Sequence, residues 1–316
     1  MLRHNVRGNR ADWYFYKASR VFAFFIILIV FAMLTAMIMA AWPAISRFGL
    51  NFLWNTAWNP VTEEYGALPF IYGSIVSSLL ALLIAVPLSL GAAIFLTELA
   101  PRWLMVPVSF MIELLAAIPS VIYGLWGLFV LVPFLRLQVQ PWLGSHLGFL
   151  PFFQGPAYGV GMLAAGIILA IMILPTITSI SRDVLGLVPN DQREAMLALG
   201  ATRWETIWHA VLPYGKSGLI GGVILGLGRA IGETMAVTMV IGNRHDISLS
   251  LFAPSNTMAS IIANEFAEAV SEIYTGVLME LGLILFLVTL LINVFARLLT
   301  RRISAKGSKN GGAGNV

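Results

Sequence analysis

The stretch 189-PNDQREAMLALGATRWETIWHAVLP-213 is polar and lies between two long apolar segments of the chain. Pro189 suits the first turn of a helix, and Gly200 supplies the left-handed residue at which helices commonly stop. Thr202 and Glu205 then form the T-x-x-E spacing of a capping box, which marks the start of a second helix. The stretch therefore predicts two short helices joined at a glycine.

The second of these helices carries an apolar face. Trp204, Ile207, Trp208 and Val211 fall on one side at helical spacing, and Pro213 is expected to end the turn. A helix-turn-helix of this size cannot bury such a face by itself. Two interpretations follow: an amphipathic loop that lies on its own membrane domain, or a surface on which another protein docks.

Composition identifies an integral membrane protein. The 316 residues are 59% hydrophobic and 11% charged, with a mean hydropathy of +0.86, which is too apolar for a soluble domain of this length. The chain has no cysteine, so disulfides, thiolate catalysis and cysteine metal sites are excluded. From this composition we predict that the chain binds no metal and no cofactor.

Six apolar runs are long enough to cross a bilayer as helices. We therefore predict an all-α, polytopic membrane protein, with the third run kinked near Pro119 and followed by a loop from Arg136 to Pro156. The predicted spans are about 21–42, 70–96, 105–135, 157–180, 217–241 and 276–298. The expected divisions are a basic, aromatic N-terminus (1–20), a permease domain (21–299) that contains the segment 189–213, and a disordered tail (300–316).

The basic residues assign an orientation to these spans. Six spans place both termini on one side, and that side would hold fifteen Lys and Arg residues against three on the other. By the positive-inside rule the termini and segment 189–213 are cytoplasmic. Ser255 is then expected outside and Ser304 inside. The three outer cations are Arg47, Arg136 and Arg244; the inner ones are Arg3, Arg7, Arg10, Lys17, Arg20, Arg102, Arg182, Arg193, Arg203, Lys216, Arg297, Arg301, Arg302, Lys306 and Lys309.

Segment 189–213 resembles the "EAA" signature of ABC importer permeases, which docks on a separate ATPase. Met196 and Ala210 depart from that signature but stay apolar or small. Three further stretches, at 87–100, 113–127 and 226–237, are similar to the Pst-type phosphate importer permeases, and the N-terminus is more like the PstC subunit than PstA. The residues that carry the resemblance to the docking segment are Glu194, Ala195, Gly200, Leu212 and Pro213, and we add Trp204 to them as ATPase-coupling residues.

This resemblance implies a permease subunit that carries inorganic phosphate across an inner membrane into the cytoplasm. The implied partners are a PstA-like second permease, two PstB-like ATPases and a PstS-like extracytoplasmic binding protein. The chain itself is not expected to hydrolyse ATP. Gly215-Lys216-Ser217 ends like a P-loop, but the first glycine of that motif would fall at residue 210, which is alanine.

Arg229 and Glu233 are the charges predicted to line the substrate path. In a helix over 217–241 they would lie near mid-membrane at i and i+4, where a charge should face the protein interior or a water-filled path. A guanidinium can hold two phosphate oxygens, and a carboxylate can accept the proton that phosphate partly retains. Ser120, beside Pro119, is a weaker candidate. The alternative is an ion pair that only fixes helix packing.

Gly222 and Gly226 lie on the same predicted helix face as Arg229, at steps of four and three residues. Because glycine has no side chain, this face should leave room for a neighbouring helix or a passing ion.

Other functions remain open from the residues alone. A membrane-embedded hydrolase would have Glu113, Glu233 and Glu280 available, but the chain contains none of the usual catalytic motifs. A channel or secondary transporter that needs no ATP could also use buried charges, although it would not explain segment 189–213. A permease for another oxyanion is a further alternative.

Overall fold

The structure, a computed structural model, describes the backbone of residues 10–310 and the side chains of residues 13–298. Within that range it is almost entirely helical, with two isolated β-bridges and no strand. The helices are α1 (Arg10–Phe48), α2 (Leu68–Leu99), α3 (Arg102–Ala117), α4 (Ser120–Leu147), α5 (Met162–Gly186), α6 (Asn190–Ala198), α7 (Arg203–Ile231), α8 (Met235–Val240), α9 (Met258–Glu265) and α10 (Glu272–Asn310).

Six of the described helices are long and apolar enough to span a membrane: α1, α2, α4, α5, α7 and α10. The predicted all-α, six-span class is confirmed. Helix α5 lies at the centre, since 67% of its most apolar window is buried, against 33% or less for the other five. It packs between α2 and α7, while α1 packs on α10.

Glycines bring α7 close to α5. A Cβ on Gly218 would lie 2.6 Å from Val184, on Gly222 3.1 Å from Ile180, and on Gly226 2.8 Å from Ile177. The glycine face of α7, which was predicted to admit a neighbouring helix, therefore packs against α5, and the side chains of α5 fill the space beside the glycines. Small residues at steps of four allow this close approach in membrane helices.

The third apolar run breaks instead of kinking. Ile118 and Pro119 both have extended backbone, so α3 ends at Ala117 and a separate helix, α4, starts at Ser120. Proline disfavours helical backbone at the residue before it, and this explains the break. The loop predicted from Arg136 to Pro156 was wrong over its first half, because α4 continues to Leu147 through several π-helical turns.

The fifth span is displaced towards the N-terminus. It covers Arg203–Ile231 instead of 217–241, and Gly232 to Thr234 separate it from the short helix α8. At the N-terminal end, α1 begins at Arg10, within the stretch that was predicted as a non-membrane N-terminus. At the C-terminal end, α10 continues to Asn310, within the tail that was predicted to be disordered. Residues 1–9 and 311–316 lie outside the described part.

Candidate functional site

Segment 189–213, which we call the coupling segment, has the predicted glycine turn and capping box. Helix α6 is followed by Gly200 at φ +86°, a left-handed conformation that favours glycine. The capping box is formed: the Thr202 Oγ1 accepts from the Glu205 amide at 3.3 Å, and a Glu205 carboxylate oxygen accepts from the Thr202 amide at 2.7 Å. These bonds satisfy amides that a helix start otherwise leaves unpaired.

The predicted end of the second helix at Pro213 was wrong. Helix α7 runs through Pro213 without interruption. A π-helical turn, Ile207–Val211, lies directly before it, and the Leu212 amide donates to the Ile207 carbonyl, five residues back. Such a turn adds one residue to the helix, which relieves the clash between a proline ring and the preceding turn.

The apolar face of this helix is divided between two environments. Ile207 and Val211 are buried against the membrane domain, whereas Trp204 is 62% exposed and Trp208 51% exposed. The two indole rings are 5.6 Å apart, edge to face. Glu194 and Ala195 on α6 are also exposed. The segment therefore lies on its own domain through one part of the predicted face and presents the other part outward.

An ion pair that sequence reasoning missed anchors the coupling segment. Arg193 of α6 lies 2.8 Å from the Glu98 carboxylate at the end of α2, and both side chains are largely buried. Arg193 also donates to the Leu185 carbonyl at 3.0 Å and to the Val188 carbonyl, so it caps the end of α5. The sequence signal that could have revealed this ion pair is Glu98, an isolated acidic residue at the end of the second apolar run.

Two of the residues beside the candidate path, Ser120 and Thr176, the hydrogen-bond partner of Arg229, lie at a similar depth in the membrane. Thr176 lies 14 residues from Met162 and 10 from Gly186, near the middle of α5. Helix α4 runs antiparallel to α5, since Gly127 approaches Ile168 while the later residue Val132 approaches Gly159. Counting back from Gly127 places Ser120 at about the depth of Thr176.

Arg229 and Glu233 do not form the predicted i, i+4 pair. Arg229 Nη1 donates to the Thr176 hydroxyl at 3.0 Å, whereas Glu233 lies beyond the end of α7 and accepts from the Ala236 amide of α8 at 3.1 Å. Gly232 at the helix end turns the chain, which is why the helical spacing does not apply. We call Ser120, Thr176, Arg229 and Glu233, all half-buried, the mid-membrane cluster; Arg229 and Thr176 are the two that are seen in contact.

The other acidic residues considered for catalysis are dispersed. Glu113 pairs with Arg182 at 3.1 Å, near the coupling end of α5, and Glu280 is buried in α10. Among the described residues no three acidic or histidine side chains are grouped as a metal site would require. Glu113 and Glu280 therefore do not share one site with Glu233.

Six spanning helices, a polar cluster half-way across and a helix-turn-helix exposed at one end define a multi-pass membrane transport protein. Residues 85–305 match the model of the binding-protein-dependent transport system inner membrane component family, and the chain belongs to this family.

Similar proteins agree with this assignment. The phosphate transport system permease protein PstC of Pasteurella multocida is 52% identical over 296 residues, which cover 92% of each chain. The PstC protein of Mesorhizobium japonicum is 51% identical over 299 residues, 93% of this chain and 91% of that one. A crystal structure of a bacterial ABC transporter involved in alginate import has a TM-score of 0.57 and 17% identity, and covers 93% of this chain and 97% of its own. That similarity shows the shared fold.

Proposed function

We propose that this chain is a membrane-spanning permease subunit of an ATP-driven importer that carries inorganic phosphate into the cytoplasm. The observation that carries the proposal is the coupling segment, which is fixed to the membrane domain on one side and exposed on the other. Two relatives that are 52% and 51% identical are named phosphate transport system permeases, and they give the substrate.

The exposed part of the coupling segment is the ATPase docking surface. Trp204 and Trp208 form an exposed aromatic pair, and such pairs act as anchors when they enter a pocket on a partner. Glu194 and Ala195 extend the same segment, and Gly200 sets the angle between its two helices. Because Arg193 joins the segment to α2 and α5, a push on the surface is transmitted to the spans around the mid-membrane cluster. Leu212 and Pro213 complete the segment where it continues into α7.

Phosphate passes the mid-membrane cluster. The Arg229 guanidinium can bind two oxygens of an oxyanion, and its bond to Thr176 keeps the side chain in place. Ser120 at the same depth adds a hydroxyl. Glu233 accepts the proton that phosphate retains near neutral pH, which favours phosphate over sulfate. A charge at this depth costs about 2.5 to 3.5 kcal/mol to insert, so its presence is typical of a transport path.

The assembly requires partners that the chain does not contain. We infer an ABC ATPase dimer on the coupling segment, a second, PstA-like permease beside this one, and an extracytoplasmic phosphate-binding protein at the opposite end. ATP hydrolysis belongs to the ATPase subunits. The protein lies in the inner (cytoplasmic) membrane with both termini in the cytoplasm, as the distribution of basic residues indicates.

Reconstitution tests the proposal. Proteoliposomes that contain the assembled complex should accumulate labelled phosphate only with ATP and the ATPase, and excess sulfate should not compete. Trp204→Ala with Trp208→Ala should abolish co-purification of the ATPase, whereas Trp54→Ala, at a more exposed tryptophan at the other end, should not. Uptake without the ATPase would instead identify a secondary transporter, and equal competition by sulfate would identify a permease for oxyanions in general.

A further inference from the structure

The hydroxyl of Tyr123 bridges the break between α3 and α4. It donates to the Leu115 carbonyl at 2.7 Å, eight residues back along the chain. In an unbroken helix the amide of residue 119 would donate to that carbonyl, but Pro119 has no N–H. The Ile118 amide reaches the same carbonyl at 3.3 Å, a longer bond. The tyrosine hydroxyl therefore takes the place of the hydrogen bond that the proline removes.

One end of this bridge is fixed and the other is loosely held. Tyr123 is 7% exposed and belongs to the buried cluster that surrounds α5. A Cβ on the next residue, Gly124, would lie 3.0 Å from Ala236 of α8. In contrast, α3 has no buried residue, and its ion pair from Glu113 to Arg182 is partly exposed. The Tyr123 hydroxyl thus ties the end of α3 to the packed interior.

Ser120 lies inside the segment that this bond closes. It is the first residue of α4 and follows directly on the two residues of extended backbone. Its hydroxyl forms no hydrogen bond with the residues that the structure describes, so the backbone sets its position. That backbone is held at Leu115 on one side and at Tyr123 on the other. Arg229 is close enough to the Tyr123 hydroxyl to act on it electrostatically, so the bond lies near the mid-membrane cluster.

We propose that Tyr123 is a positioning residue of the candidate path: its hydroxyl sets the angle at the break and so holds the Ser120 hydroxyl where phosphate passes. Tyr123 itself does not contact phosphate, since its hydroxyl is engaged with the Leu115 carbonyl. This role rests on the proposed function, because it requires phosphate to pass the mid-membrane cluster.

The number of phosphate ions transported per ATP hydrolysed separates positioning from stability. A variant that only reduces the amount of folded complex lowers transport and hydrolysis in proportion, so the ratio stays constant. Tyr123→Phe keeps the ring and loses the hydroxyl, and we expect the ratio to fall roughly threefold, within the range for one lost hydrogen bond. Proteoliposomes that contain the assembled complex, with labelled phosphate and a coupled ATP assay, measure both quantities.

Tyr72→Phe is the matched control. It also removes a tyrosine hydroxyl that donates to a carbonyl at 2.7 Å, here that of Ser248 in the connection between α8 and α9. Since this bond does not involve the break, the ratio should stay at the unmodified value.

A double variant tests whether Tyr123 acts through Ser120. Ser120→Ala should lower the ratio roughly tenfold, since it removes a hydrogen bond to a charged ion. Tyr123→Phe with Ser120→Ala should lower it by the same factor and not by the product of the two factors. A residue that acts through another has no effect once the other side chain is gone.

Equal ratios in Tyr123→Phe and Tyr72→Phe overturn the proposal, as does a double variant in which the two effects multiply. If Ser120→Ala and Arg229→Gln both leave the ratio unchanged, the candidate path is wrong and the role of Tyr123 falls with it. A fall in those two variants without a fall in Tyr123→Phe overturns the role of Tyr123 alone.

If Tyr123→Phe does not assemble with the ATPase, Pro119→Ala decides. This change returns an amide to residue 119, so the Leu115 carbonyl regains a helical donor and the break can close. Ser120 should then move, and the ratio should fall roughly threefold. An unchanged ratio in Pro119→Ala overturns the proposal.

Discussion

Arg229 shows how a single residue depends on its surroundings. Its guanidinium is half-buried in the middle of the spanning helices and donates to Thr176, so a small residue of α5 holds it at the candidate path. The sequence pointed to Glu233 as the partner. Arg229 forms no ion pair with the side chains that the structure describes, and this makes it better suited to bind an anion than a closed ion pair would be.

Arg229→Gln should reduce phosphate transport by roughly 10- to 100-fold, since a hydrogen bond to a charged group contributes about 1.5 to 3 kcal/mol. Arg229→Lys should recover part of the rate, because it keeps the charge but loses the two-oxygen geometry. Labelled-phosphate uptake by proteoliposomes measures both, with Arg244→Gln at the outer end as the control. If Arg229→Gln assembles with the ATPase and transports at the unmodified rate, the path does not pass this residue.

His245 is a second residue whose properties come from packing. Its ring lies 6.0 Å from that of Trp58 and 5.5 Å from that of Phe70, and its Nε2 is 3.6 Å from a Glu265 carboxylate oxygen. Glu265 also accepts from Trp58 Nε1 at 2.8 Å and from the Tyr274 hydroxyl. Burial lowers the pKa of His245 below its usual 6.5, although Glu265 and Asp246 oppose this in part.

The lowered pKa predicts a loss of stability in acid. Because the unfolded chain takes up the proton near pH 6.5 and the folded chain only at lower pH, stability falls as the pH drops from about 6.5 to the folded pKa. His245→Gln should flatten this dependence. Thermal unfolding at pH 7.5 and 5.5, followed by tryptophan fluorescence, measures it, with exposed His209→Gln as the control. An unchanged pH dependence in His245→Gln would contradict the assignment.

At the scale of elements, the turn between α6 and α7 decides how the coupling surface is presented. Gly200 has φ +86°, and a Cβ at this position would meet no atom within 4 Å. The need for glycine is therefore conformational and not a matter of space. Gly186, at the end of α5, is equally open but has no positive φ, so it provides a matched comparison.

Gly200→Val should cost about 1 to 2 kcal/mol in the left-handed region and redirect Trp204. We expect ATPase co-purification and phosphate-stimulated ATP hydrolysis both to fall, while Gly186→Val retains them. Pull-down with a tagged ATPase and a coupled hydrolysis assay are the measurements. If the two valine variants behave alike, the turn does not set the docking geometry.

The two helix breaks are the other element-scale feature. Ile118–Pro119 separates α3 from α4, and Gly232 to Thr234 separate α7 from α8. The helices that follow the two breaks pack on each other, since a Cβ on Gly124 of α4 would lie 3.0 Å from Ala236 of α8. Non-helical backbone is tolerated at membrane depth where it is covered by protein or lines a cavity, so paired breaks beside Arg229 fit a transport path.

The whole molecule has an orientation that the spans alone do not give. The charge distribution predicts that the coupling segment lies inside and the α9–α10 connection outside. Ser255, the outer position chosen from the sequence, is only 4% exposed and is therefore a poor reporter. Val270, in the α9–α10 connection, is 96% exposed and serves better.

Val270→Cys should react with an impermeant thiol reagent on intact cells, and Ser304→Cys should not. Because the chain has no cysteine of its own, each variant reports one position. A permeant reagent should label both and thus controls for accessibility. Labelling of Ser304→Cys but not of Val270→Cys would invert the orientation.

The sequence by itself determined the membrane class, the number of spans, and the glycine turn and capping box of the coupling segment. Each depends on signals within a few residues: the length of an apolar run, the Thr202–Glu205 box, and the glycine at Gly200. Such signals act through hydration and backbone geometry near the residue, so they hold whatever the rest of the chain does.

Only the tertiary structure decided that the third run breaks at Pro119 instead of kinking, where the fifth run breaks, which partner Arg229 takes, and which aromatics of the coupling segment stay exposed. An apolar run has the same hydropathy whether its backbone is one helix or two, so the breaks leave no signal in composition. The partners are set by contacts between distant residues, Arg229 with Thr176 and Arg193 with Glu98. Those contacts exist only once α2, α5 and α7 have packed, since the close approach of α7 to α5 depends on the glycines that face it.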